Sequence, residues 1–109
     1  MYMHDWATSQ FEGFKNDFNI SDADLVGVEI LLASYVYEDY DGSAFVLFRR
    51  DGKLWEVNGS HCSCYGLEEC WEPEEATFDS LQRRLDSNSY TLTHCHSELV
   101  ELIRKLKAE

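Results

Sequence analysis

Apolar residues recur at helical spacing near the start of the chain, alternate or run together through the middle, and return to helical spacing toward the end. Trp6, Phe11, Phe14 and Phe18 sit three, four and five residues apart, which predicts a first helix from about Trp6 to Asp17 with Asp5 as its cap. Gly13 weakens that helix by about 1 kcal/mol relative to alanine. Asn19 to Asp24 reads as a polar connection. Leu25 to Glu38 is rich in Val, Ile, Leu and Tyr and predicts a long strand. Simple alternation puts Val26, Val28, Ile30, Leu32 and Val36 on one face, and Glu29, Leu31, Ala33, Tyr35 and Tyr37 on the other.

Asp39-Tyr40-Asp41-Gly42 has turn chemistry. Ser43 to Arg50 follows as a second strand, and its continuous run Phe45-Val46-Leu47-Phe48 implies burial on both faces. Asp51-Gly52 is a two-residue hairpin signal, because glycine takes the positive φ of a type I′ turn. Lys53 to Asn58 returns as a third strand. A second helix ends near Asp86, with Phe78, Leu81 and Leu85 on its apolar face. Pro73 could begin it, with Glu74 and Glu75 at the positive end of the dipole. The apolar spacing starts only at Phe78, which favours Thr77 as cap and an extended Glu74 to Ala76. Asp86 to Ser89 is a loop, and Tyr90 to Thr93 is a candidate short strand. Ser97 is the expected cap of a last helix carrying Leu99, Leu102, Ile103 and Leu106 at helical spacing.

These elements predict one α+β domain over residues 1–109. Its expected core is a three-stranded antiparallel meander packed by helices on one side, in the order α-β-β-β-loop-α-α. No apolar run is long enough to span a bilayer. The Met1-Tyr2-Met3-His4-Asp5 start lacks the basic-then-apolar pattern of a signal peptide. The expectation is a cytoplasmic protein with reduced cysteines and no membrane partner.

Charge changes the picture. The formal net charge is -12. Asp17 to Asp41 contains seven acids and no Lys or Arg, and Glu56 to Asp79 contains another seven and again neither. Such a chain is repelled by nucleic acid and anionic lipid, so direct nucleic-acid binding is not expected. A coherent acidic face is expected instead. Its candidate partner-binding residues are Glu38, Asp39, Asp41, Glu68, Glu69, Trp71, Glu72, Glu74 and Glu75. The alternative reading of the acids is a solubilising surface.

The densest reactive chemistry lies between Gly59 and Glu75. His61, Cys62, Cys64 and Cys70, together with His94, Cys95 and His96, contain enough thiols and imidazoles for a zinc site. However, Cys62 and Cys64 have one residue between them where a usual pair has two to four. The expectation is therefore no cofactor and no metal, with zinc at these residues as the alternative and buried structural thiols as the plain reading. A thiol enzyme is a further alternative. It lacks support, because His61 and Cys62 point apart on a strand, as do Cys95 and its histidine neighbours, and acidic surroundings raise a thiol pKa. No phosphate loop or hydrolase motif is present, so no catalytic residue is expected.

A short hairpin followed by Glu56-Val57-Asn58-Gly59-Ser60-His61-Cys62-Ser63-Cys64-Tyr65-Gly66, then Trp71-Glu72-Pro73-Glu74-Glu75, resembles a motif of small bacteriophage and bacterial proteins. The likeness spans Tyr35 to about Leu85. It implies a phage-type accessory gene and carries no activity with it. With the charge pattern, it leads to the expectation of a non-enzymatic acidic protein in the host cytoplasm. Such a protein would inhibit or redirect a host protein that has a basic nucleic-acid-binding surface, as in anti-CRISPR, anti-restriction or host-takeover functions.

Overall fold

The computed structural model describes residues 1–38, 41–62, 66–68, 70–87 and 92–109, with Glu38 and Cys62 described by backbone alone. Five strands form one sheet in sequence order: β1 (Tyr2–His4), β2 (Glu29–Glu38), β3 (Asp41–Arg50), β4 (Lys53–Cys62) and β5 (Glu74–Ala76). The helices are α1 (Trp6–Phe18), α2 (Phe78–Asp86) and α3 (His96–Lys107), and a 3₁₀ turn spans Asp22–Leu25.

The α+β class holds, but the three-stranded meander is overturned. The sheet is five-stranded and mixed, since β1 runs parallel to β2 while the remaining pairs are antiparallel. A parallel pair needs a crossover, and α1 with the 3₁₀ turn supplies it. The added strands are only three residues each, too short to carry a readable period. Glu74 to Ala76 is extended as expected, but its place in the sheet, and the whole of β1, go beyond what the pattern of apolar residues predicts.

Helices cover both faces of the sheet and not one. On the first face, Trp6, Phe14 and Phe18 of α1 pack with Ala33, Val46, Phe48 and Val57. On the second, Leu81 and Leu85 of α2 and Leu99 and Ile103 of α3 pack with Leu32, Phe45 and Leu47. The central strand β3 is buried continuously from Gly42 to Phe48, as its unbroken apolar run requires.

Local corrections follow from specific contacts. Leu25 ends the 3₁₀ turn, and β2 begins only at Glu29. Ile30 pairs with Phe48 and Leu32 with Leu47, so Leu31 is an extra residue and β2 carries a bulge there. The bulge sends Ile30 to the α1 layer and Leu32 to the opposite layer. Strict alternation had put them on one face. The strand β4 runs on past Asn58, through Gly59 and Ser60 to Cys62. Asp5 makes no side-chain cap on α1; its carboxylate accepts the Tyr37 backbone N–H at 2.9 Å instead. The last helix starts at His96, with Cys95 and not Ser97 at the cap position. Of the candidate strand Tyr90 to Thr93, Tyr90 and Thr91 lie outside the described residues, and Leu92 and Thr93 are in turns and not in a strand.

Other expectations hold. Asp51 and Gly52 take φ of 54° and 75° and close the β3–β4 hairpin between Arg50 and Lys53. Thr77 caps α2: its hydroxyl accepts the Ser80 N–H at 3.0 Å, and Ser80 Oγ accepts the Thr77 N–H at 2.9 Å. Among the described residues, no helix is long and apolar enough to cross a membrane.

Candidate functional site

The sheet separates charge along its long strands β2, β3 and β4. The hairpin tip carries Arg49, Arg50 and Lys53, while the far end, where Glu38, Asp41 and Cys62 stand in register, carries acids. The cations of the tip are engaged. Arg49 bridges Glu29 at 3.1 Å and Glu109 at 2.9 Å, Lys53 lies 3.8 Å from Glu75, and Arg50 lies over the rings of Phe48 and Trp55.

At the acidic end, an aromatic step is built on the α1 face of the sheet. His61 on β4 is in register with Gly42 on β3, and Gly42 with Tyr37 on β2. Because Gly42 has no side chain, the His61 ring lies across β3 and reaches two residues of β2. It makes a 2.7 Å hydrogen bond between Nε2 and the Tyr35 hydroxyl, and it stacks on Tyr37 with 5.2 Å between centroids. Burial, and then the negative charges of Asp17 and Asp5, push the Tyr35 phenol up to about 12. The phenol therefore stays protonated at neutral pH. Two carboxylates that act on it each accept a hydrogen bond from a described residue. Asp17 accepts the Trp6 indole N–H at 2.7 Å, and Asp5 accepts from Tyr37 as described. Glu68 also acts on the phenol and accepts the Gly66 N–H at 3.0 Å.

The acids expected at a partner-binding face are distributed as follows. Asp39, Glu69 and the side chain of Glu38 lie outside the described residues. Asp41 and Glu68 are exposed at the acidic end; Glu72 follows, and Glu74 and Glu75 are exposed on the edge strand β5 beside Glu56 and Trp55. Leu67 and Cys70 lie over Gly59, so this segment tracks β4 from its far end toward the tip. Among the described residues, Asp5, Asp17, Asp41, Glu68, Glu72 and Glu74 have no Lys or Arg partner within 4.0 Å. Trp71 is half-buried. It stacks on Phe48 and meets Phe14 and Phe18 edge-on, so most of its ring belongs to the first core.

One acid of the second window is not surface at all. Glu56 is 4% exposed and pairs with Arg84 of α2, whose second nitrogen reaches Asn58 at 2.7 Å. Glu56 and Asn58 share the α2 face of β4, a strand spacing that marks a joint between sheet and helix.

The metal candidates are divided by the sheet. Cys70 packs in the α1 layer and Cys95 in the opposite layer, so these two thiols cannot share one ion. Cys64 and the side chain of Cys62 lie outside the described residues. His61 is bonded to Tyr35, His4 Nε2 meets the His94 carbonyl at 2.7 Å, and His96 Nε2 is 3.4 Å from the Leu85 carbonyl. Among the described residues, no three His, Cys, Asp or Glu side chains come together as a metal site. Cys95 is fully buried, and burial, aided by Glu98 and opposed by a hydrogen bond from Ser34, pushes its thiol up to about 12. That environment suits an inert core thiol and opposes a nucleophile at this position.

Sequence reasoning missed Tyr35, Tyr37, Asp5 and Asp17 as members of one site. Only the register of Gly42 between two aromatic-bearing strands signals it, and register is not legible before the bulge at Leu31 is known. No protein-family model, curated protein or solved structure matches the chain.

Proposed function

We propose that this chain is a non-enzymatic acidic binding protein of phage type that inhibits or redirects a host factor. In this reading it occupies a basic groove that otherwise holds nucleic acid. The observation that carries the proposal is the separation of charge. Among the described residues, the exposed acids Asp41, Glu68, Glu72 and Glu74, at one end of the sheet and toward its β5 edge, have no Lys or Arg partner, while the cations of the hairpin tip are held by other side chains. Carboxylates presented in this way meet the Lys and Arg that normally meet phosphates. The buried, protonated thiol of Cys95 weighs against the thiol-enzyme alternative at that residue. The phage and host-cytoplasm parts of the proposal rest on the motif centred on His61 and Trp71.

The test is affinity capture from a bacterial lysate in low and high salt, with the captured protein identified by mass spectrometry. The expected result is a nucleic-acid-binding protein, released by salt and displaced by its own nucleic acid. Capture that resists both salt and competing nucleic acid would rule the groove-occupying reading out.

A further inference from the structure

The acidic end presents more than charge. Tyr37 is 43% exposed, although its ring is already stacked on His61, and His61 is itself anchored by the Tyr35 hydroxyl. An exposed tyrosine on a strand end ordinarily samples several rotamers. This one is backed by a second ring whose position is set by a hydrogen bond and by the missing side chain of Gly42. The result is a pre-ordered aromatic surface, with Asp5 bonded to the Tyr37 backbone and the carboxylates of Asp5, Asp17 and Glu68 close enough to act on the Tyr35 phenol that anchors it. Among the described residues, each of these carboxylates accepts one hydrogen bond, through one of its two oxygens.

A flat aromatic face next to carboxylates suits a planar cation better than a compact one. Guanidinium stacks on rings and forks its N–H groups to carboxylate oxygens, whereas ammonium is strongly hydrated and has no plane to stack. The geometry points to Tyr37 and His61 as the seat of an arginine side chain donated by a basic protein partner. This inference rests on the acidic-binder reading and adds residue selectivity to it. Charge alone attracts lysine and arginine alike; the aromatic step discriminates between them.

The experiment titrates the full chain with hexa-arginine and with hexa-lysine peptides at pH 8 and low salt. It follows the ring signals of tyrosine and histidine by NMR, alongside the affinity. The expected result is that hexa-arginine binds more tightly by about two- to fivefold, the size of an exposed cation–π contact. The Tyr37 ring signals should move with arginine and not with lysine. Tyr37→Leu keeps an apolar strand residue and should equalise the two peptides. Charge reversal at Glu74 and Glu75, away from the step, should weaken both peptides together and leave their ratio intact. Equal binding of the peptides to the parent chain, or a preference that survives in Tyr37→Leu, would overturn the inference while leaving the acidic-binder reading standing. Failure of both peptides to bind would end both.

Discussion

The His61 ring occupies the space that a side chain on Gly42 would fill: a Cβ built there would collide with three atoms of the imidazole. The two residues are register partners across β3 and β4. The absence of one side chain is what lets the other cross a whole strand to reach Tyr35. Gly42→Ala should therefore displace His61 and break its hydrogen bond, lowering stability by about 1–3 kcal/mol, the usual cost of overpacking a tight site. Urea unfolding measures the loss. In a His61→Ala background the same Gly42→Ala change should cost little, because the collision is gone. Equal costs in both backgrounds would mean that the glycine serves the backbone and not the ring.

The joint between β4 and α2 gives a second prediction. Arg84→Met leaves the Glu56 carboxylate buried without its main cation. The expected loss is about 3 kcal/mol, the low end for a broken buried pair, since Arg84 keeps some contact with water. Glu56→Gln combined with Arg84→Met should recover much of that loss, because the pair is replaced and not half removed. A single substitution that leaves the denaturation midpoint unchanged would show that Glu56 is already satisfied by other donors.

Alkaline pH should destabilise the fold. The Cys95 thiol rises from 9.0 and the Tyr35 phenol from 10.0, each to about 12, and burial is the first cause in both. Both groups are neutral when protonated. Above pH 9 the unfolded thiol loses its proton while the folded one keeps it, and above pH 10 the same holds for the phenol. The unfolded state then binds fewer protons, so stability falls with rising pH. Their contribution is complete below pH 9 and disappears between about pH 9 and 12. Thermal melts in a pH series should show a midpoint that declines steadily above pH 9. Tyr35→Phe should flatten the part of the decline above pH 10.

Much of the scaffold was legible because it rests on local chemistry. The Asp51-Gly52 turn, the Thr77 cap and the apolar run of β3 each depend on residues adjacent in sequence. The missed features depend on distant pairing. The strand β1 exists because Tyr2 to His4 lies beside Ala33 to Tyr35, and the bulge at Leu31 appears only against Phe48 and Leu47. Likewise, Asp5 was readable as a helix cap from its position before Trp6, yet its carboxylate serves Tyr37 across the β1–β2 boundary. The acids were legible as charge but not as a surface, since Glu56 and Glu74 stand side by side in register with one buried and the other exposed.

The final prediction tests that surface directly. Reversal of Glu68, Glu72, Glu74 and Glu75 to lysine should leave folding nearly intact, because all four are exposed and only Glu75 has a cation nearby, at 3.8 Å. Such surface pairs contribute at most about 1 kcal/mol. Binding to the captured partner should weaken mainly through slower association, because complementary fields act on the encounter before contacts form. The effect should shrink as salt rises, since screening at 0.1 M acts over about 10 Å. Reversal of Asp79, Asp86, Glu98 and Glu101, on α2 and α3, changes the net charge by the same amount and is the control for net charge alone. Stopped-flow association at several salt concentrations separates the two sets. A large slowing in the first set and a small one in the control places the encounter surface along β5. Equal slowing in both sets would mean that the partner responds to total charge and that the β5 edge has no special part in recognition.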